Sequence, residues 1–148
     1  MLTHLLLRDG RPAPHGIIAI APFAIQAHAL MSEYAKAQAE NDVISTDNMD
    51  DLVRAYVGDS KLVPTEPLIS GAFVPIDASW PKTLILVGSA DQVIDASRVL
   101  AKRLEDAQRP VELVEYDERP HAWWILPQIF SEDIQDAGER IAQFILTS

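Results

Sequence analysis

Leu84-Ile85-Leu86-Val87-Gly88-Ser89-Ala90-Asp91 is four apolar residues running into a glycine, two small residues and a carboxylate. A continuous apolar run of this length bounded by turn residues reads as a buried strand, and a strand apolar on both faces reads as one inside a parallel sheet. Thirty residues later the pattern returns: Val111 to Tyr116 is a second strand, followed by Pro120-His121-Ala122-Trp123-Trp124. In open α/β sheets ligands and chemistry gather beyond the carboxyl ends of the strands. Asp91 and His121 both fall there, an acid and a base, with no convincing nucleophile anywhere upstream.

Working outward, Ala96, Val99, Leu100, Leu104 and Ala107 form one face of a helix between the two strands. After the second strand, a last helix beginning near Ser131 carries Glu132 and Asp133 in its first turn, where the helix dipole favours acids. It presents Ile134, Ala137, Ile141, Phe144 and Ile145 inward. Upstream, Leu2 to Leu7 reads as the end of a helix closed by Asp9-Gly10, and Ile17 to Ala21 as a short strand stopped by Pro22. Between Gln26 and Asp59 lies a helical segment, clearest at Met49, Leu52, Val53 and Tyr56, with Asp47 as its N-cap and Gly58 as its stop. Ser60 to Pro81, carrying Pro64, Pro67, Pro75 and Pro81, reads as an irregular connection over the surface. The alternation gives an α/β fold with about three parallel strands and flanking helices.

Composition bounds the function. The 148 residues, 48% hydrophobic and 23% charged, suit a single domain with one core. A net charge of −10 disfavours nucleic acid and anionic membranes, which would repel the surface, and suits a neutral or cationic small molecule. With no cysteine there is no disulfide, thiolate metal site or thiol nucleophile. The first nine residues lack the basic leader and long apolar core of a secretion signal. The longest apolar run, Ile17 to Ile25, is broken by Pro22 and is far short of the roughly 20 residues a membrane span needs. The expectation is a soluble, cytoplasmic protein. His4, His15 and His28 lie in unrelated segments without ligand spacing, so no metal is expected, and the six scattered glycines form no phosphate-binding loop. No cofactor is expected.

Gly16 to Phe23, Glu66-Pro67-Leu68-Ile69-Ser70, Pro81 to Asp95, Val111 to Tyr116 and His121 together resemble the C-terminal half of hormone-sensitive-lipase-like carboxylesterases of the α/β-hydrolase fold. The likeness covers nearly the whole chain and implies that residues 1–148 form one half-domain. It implies that Asp91, first acid of a G-x-x-D-x-x-x-D stretch, and His121 are the acid and base of a Ser-His-Asp triad, acid before base in the family's chain order. It likens residues 26–59 to part of the family's helical lid, and Leu2 to Leu7 to the helix after the nucleophile. The parent reaction would be ester hydrolysis: His121 takes the serine proton and passes it to the leaving alcohol, while Asp91 fixes the imidazole tautomer. The expected partner, once a nucleophile-bearing half completes the site, is a small acyl ester.

The departure from the family is equally plain. The His-Gly-Gly oxyanion loop and the G-x-S-x-G elbow do not occur in these 148 residues. His15-Gly16 has no further glycine. Gly58-Asp59-Ser60-Lys61-Leu62 lacks the closing glycine and follows a helix, whereas the elbow needs a strand-to-helix turn, which argues against Ser60 as a nucleophile. The chain alone is therefore expected to be nearly inert. Two alternatives stand beside this reading, a non-catalytic binding or oligomerising module and one half of a split esterase. Plainer readings compete for single residues: Asp91 as a helix N-cap, Asp95 as a loop-bracing acid, and Trp123, Trp124 and Phe130 as packing beneath the last helix. The strand Ile17 to Ala21, apolar and without edge protection before Pro22, is expected to pair with a second copy, giving a homodimer with a sheet of about six strands.

Overall fold

The computed structural model describes residues 2–25, 30–40, 42, 43, 45–58, 63 and 65–147. Three parallel strands make one sheet in the order β1 (Gly16–Ile20), β2 (Lys82–Gly88), β3 (Val111–Tyr116). Ile18 pairs with Leu84 and Leu84 with Glu112, so β2 lies at the centre with a neighbour on each side. Its residues from Thr83 to Gly88 are all buried, which explains the unbroken apolar run that marks it in the sequence.

The two-residue period of the strands sorts the core into layers. Leu84 and Leu86 pack with Tyr116, Trp123 and Ala137, and Ile18, Val114, Ile134, Ile141 and Phe144 close around them, so α5 (Ser131–Leu146) covers one face. On the opposite face Ile17 and Val111 meet Leu100 and Leu104 of α4 (Ile94–Asp106) together with Val74, Trp80 and Leu7. Leu7 belongs to α1 (Leu2–Arg8). That helix ends as the sequence predicts: Gly10 sits at φ +66°, its N–H reaches the carbonyl of Leu7, and the N–H of Arg11 reaches the carbonyl of Leu6. At the carboxyl end of the sheet Val87, Val93 and Ile94 pack with Met31 and Met49, which come from the segment carrying α2 (Glu33–Gln38) and α3 (Thr46–Val57).

Four expectations need correction. The helix α3 starts at Thr46, so Asp47 lies within its first turn instead of capping it. Of its predicted inward face Met49 alone is fully buried, while Leu52 and Tyr56 are 52% and 61% exposed; the apolar stripe exists but the described core covers only its first turn. Ile145 of α5 is likewise exposed. The connection from Ser60 to Pro81 does not simply run over the surface. Ile69, Ser70, Ala72, Val74 and Trp80 are buried, and a short 3-10 turn, Gly71–Phe73, packs against α4, because the segment supplies apolar cover that α4 alone cannot give this face of the sheet.

The two rims of the sheet differ. Outside β3, Arg98 makes a two-point bond to Glu115 at 2.7 Å and 2.7 Å, and Arg140 reaches Glu112 at 2.9 Å. Along β1 the described residues provide no second strand. Instead two clefts flank it: one of about 180 Å³ bounded by Ile17, Ala19, Trp80 and Leu100, and one of about 300 Å³ bounded by His15, Gly16, Ile18 and Phe144.

At the end of β2, Gly88 lies hard against the backbone of the β3–α5 loop. A Cβ on it would lie 1.9 Å from the carbonyl oxygen of Arg119. Gly88→Ala must push the β3–α5 loop away, and the expected cost is about 2–3 kcal/mol, in the range of overpacked cores. For a chain of this length that is a fall in Tm of about 8 °C, checked by thermal unfolding.

Candidate active site

Two loops leave neighbouring strands and are sewn together before either delivers its functional side chain. Beyond β2, the N–H of Ser89 bonds the carbonyl of Tyr116 at 2.8 Å, and that of Ala90 bonds the carbonyl of Arg119 at 3.1 Å. The Ser89 hydroxyl accepts from the N–H of Glu118 at 2.8 Å. Glu118 and Ala122 hold positive φ angles of 56° and 59°, so the β3–α5 loop turns sharply on both sides of His121.

This sewing brings the sequence-predicted pair together. The Nδ1 of His121 lies 3.0 Å from Asp91 Oδ2 and 3.2 Å from Oδ1. The carboxylate is fully buried and the imidazole 21% exposed. A carboxylate can only accept, so Nδ1 carries the proton and Nε2 is the lone-pair nitrogen of the neutral ring. Asp91 also does the plainer job expected of an acid after a strand: its Oδ1 accepts from the N–H of Val93 at 2.8 Å, just ahead of α4, although Val93 and not Asp91 is the formal N-cap. Burial lowers the pKa of His121, but the hydrogen bond to Asp91 and the charges of Asp91 and Asp42 outweigh it, leaving the net shift upward.

Asp42, which sequence reasoning missed, completes the arrangement. Its Oδ1 accepts from the backbone N–H of His121 at 2.7 Å, and its Oδ2 from that of Gln92 at 2.7 Å. Burial raises its pKa, and these same bonds hold the rise back. No local pattern marks Asp42; it lies 79 residues from His121 and becomes a neighbour only through the fold. Asp95 braces the same region, accepting from the N–H of Ser32 at 2.6 Å, and is not beside the imidazole bond. The side-chain amide of Gln92 is wholly buried and has no hydrogen-bond partner among the described residues.

The aromatics divide as packing residues do. Trp123 is wholly buried with its ring 4.4 Å from that of Tyr116, and Phe130 lies under Arg119 and against α5. Trp124 bridges the two cores and meets the His121 ring edge-on at 5.8 Å, so it also holds the imidazole in place. Ser60 and His28 lie outside the described residues. Gly58, two residues before Ser60, closes α3 with φ +56°. Among the described residues no cluster of three or more His, Asp or Glu could hold a metal, and no helix is long and apolar enough to cross a membrane.

An acid wholly buried after one parallel strand, bonded to the Nδ1 of a histidine after the next, is a familiar constellation. A family model described as the alpha/beta hydrolase fold matches residues 1–125. The chain belongs to this α/β-hydrolase family. Among solved structures, a hormone-sensitive lipase from a metagenome library superposes with a TM-score of 0.85 at 25% identity, over 98% of this chain and 49% of that one. EstE7, a hormone-sensitive-lipase homologue from a metagenome library, gives 0.83 at 26% identity, again over 98% and 49%. EstE5, at 21% identity and a TM-score of 0.86 over 99% and 47%, shares the fold. The chain thus spans about half the length of these proteins. No curated protein matches it in sequence at a significant level.

The His121–Asp91 bond carries a pH signature. The folded chain holds the His121 proton more tightly than the unfolded chain, whose midpoint is about 6.5. The stability it contributes is complete below that midpoint and is lost as pH rises through the higher folded one. Asp91→Asn should lower the His121 midpoint, followed by its imidazole proton resonances, and flatten the loss of thermal stability as pH rises above about 6.5.

Proposed function

We propose that this chain is the acid–base half of a serine carboxylesterase: Asp91 orients and charges His121, and His121 is the general base for a serine carried on sequence other than these 148 residues. The observation that carries the reading is the bond from a buried carboxylate to Nδ1, which leaves Nε2 to take the serine proton and later return it to the leaving alcohol. Asp91 stays ionised throughout and stabilises the imidazolium as it forms. The substrate class is a small acyl ester, in keeping with an acidic chain that repels polyanions. Residues 26–59 act as the lid-like helical segment of this half.

Nucleophile and oxyanion donors are the other half of the reaction. A donor in the oxyanion hole is worth roughly 3–4 kcal/mol, and an imidazole without a serine to activate does little. Turnover of a short p-nitrophenyl ester by the chain alone should therefore be indifferent to His121→Ala and to Ser60→Ala. Joining the elbow-bearing portion of the metagenomic hormone-sensitive lipase ahead of residue 1 should create turnover that falls about a thousandfold or more with His121→Ala. A folded fusion whose turnover ignores that substitution would sink the reading.

The unpartnered rim of β1 is where that other half docks, strand against strand, with the flanking clefts receiving its side chains. In the chain by itself we propose that two copies close this rim on each other across a two-fold axis, making one sheet of about six strands. Light scattering after size exclusion should give a dimer at micromolar concentration and a monomer for Ile18→Lys; a monomer in the unaltered chain is the contrary result.

A further inference from the structure

We infer that Asp42 is a positioning residue for the acid–base pair, its carboxylate spanning the two loops that carry Asp91 and His121 and tying both to the helical segment above them. Its two oxygens take the backbone N–H groups of Gln92 and His121 at 2.7 Å each. Gln92 follows Asp91 directly, so one carboxylate fixes the main chain beside the acid and the main chain of the base. Among the described residues neither N–H has a strand or helix partner of its own, and a half-buried backbone donor left unbonded is costly, so the loops are held where the carboxylate is.

The segment that brings Asp42 is itself anchored on the same rim. The N–H of Ser32 bonds Asp95 at 2.6 Å, the Tyr34 hydroxyl donates to the carbonyl of Ser89 at 2.8 Å, and the N–H of Asp42 bonds the carbonyl of Gln38 at 3.0 Å, continuing from the end of α2. Ser89 is the residue that sews the two site loops together, so the helical segment, the acid loop and the base loop form one braced unit. The charged groups bearing on His121 among the described residues are Asp91 and Asp42, and Trp124 bounds its ring edge-on. Asp42 therefore acts twice, through geometry on the backbone and through charge on the imidazolium, without touching the ring nitrogen that Asp91 holds.

This inference rests on the reading of Asp91 and His121 as acid and base, but its test needs no ester turnover, so the two can fail separately. Amide hydrogen exchange and the His121 titration are followed in the 148-residue chain. Asp42→Asn replaces one acceptor by an NH2 group facing a donor, and should speed exchange at the His121 and Gln92 amides about tenfold while lowering the His121 midpoint by about half a pH unit. Asp42→Glu keeps the charge but not the two-point fit, so the amides should exchange faster with the midpoint held up. Tyr34→Phe, which removes another anchor of the same segment, should change neither. Unaltered amide rates and midpoint in Asp42→Asn would overturn the inference. So would Tyr34→Phe reproducing the Asp42→Asn changes, since docking of the segment as a whole would then position the pair. If Asp42→Asn does not fold, unaltered amide rates in Asp42→Glu overturn it equally.

Discussion

The site depends on how closely two backbones cross. The carbonyl of Arg119 occupies the space where any side chain on Gly88 would begin, and only that proximity lets Ala90 and Ser89 bond the loop beyond β3. Parallel neighbours have their carboxyl ends side by side, but the loops that follow diverge unless something holds them. Here the absence of a Cβ permits the approach, hydrogen bonds fix it, and the acid and base meet as a result. Everything chemical in the chain is downstream of that contact: the buried carboxylate, the tautomer of the imidazole and the upward shift of its pKa.

The sequence made some of this legible and concealed the rest, for physical reasons. β2 was readable because a strand buried on both faces is apolar along most of its length, here Leu84 to Val87, and β3 because its apolar residues, Val111, Leu113, Val114 and Tyr116, end at the loop that bears His121. The meeting of Asp91 and His121 followed from their places after two neighbouring strands. The core role of residues 69–80 was not legible, since prolines remove backbone periodicity without saying whether the segment is covered; Trp80 and Val74 are buried by packing and not by any repeat. The stripe on α3 was real as a pattern, yet Leu52 and Tyr56 show that an apolar face announces a need for burial and not its fulfilment. Asp42 was invisible because one aspartate among many in an acidic chain acquires its meaning from a partner 79 residues away.

His121, Asp91 and Asp42 lie within residues 42–121 and are joined by the bonds His121 makes to the other two, while no G-x-S-x-G or His-Gly-Gly motif occurs in these 148 residues. The Asp91–His121 bond is thus held by its own surroundings, with Trp124 and Trp123 filling the volume behind it.

The ion pairs outside β3 have a consequence for growth. Glu112 and Glu115, laced to Arg140 and Arg98, put charge and bulk along that rim, whereas β1 offers Ile17, Ile18 and Ile20 with nothing charged between them. A sheet with two open rims can add copies without end, which is how fibres propagate. Charged side chains along an edge strand disfavour further pairing there, so any strand that joined β1 would leave the charged strand β3 outermost.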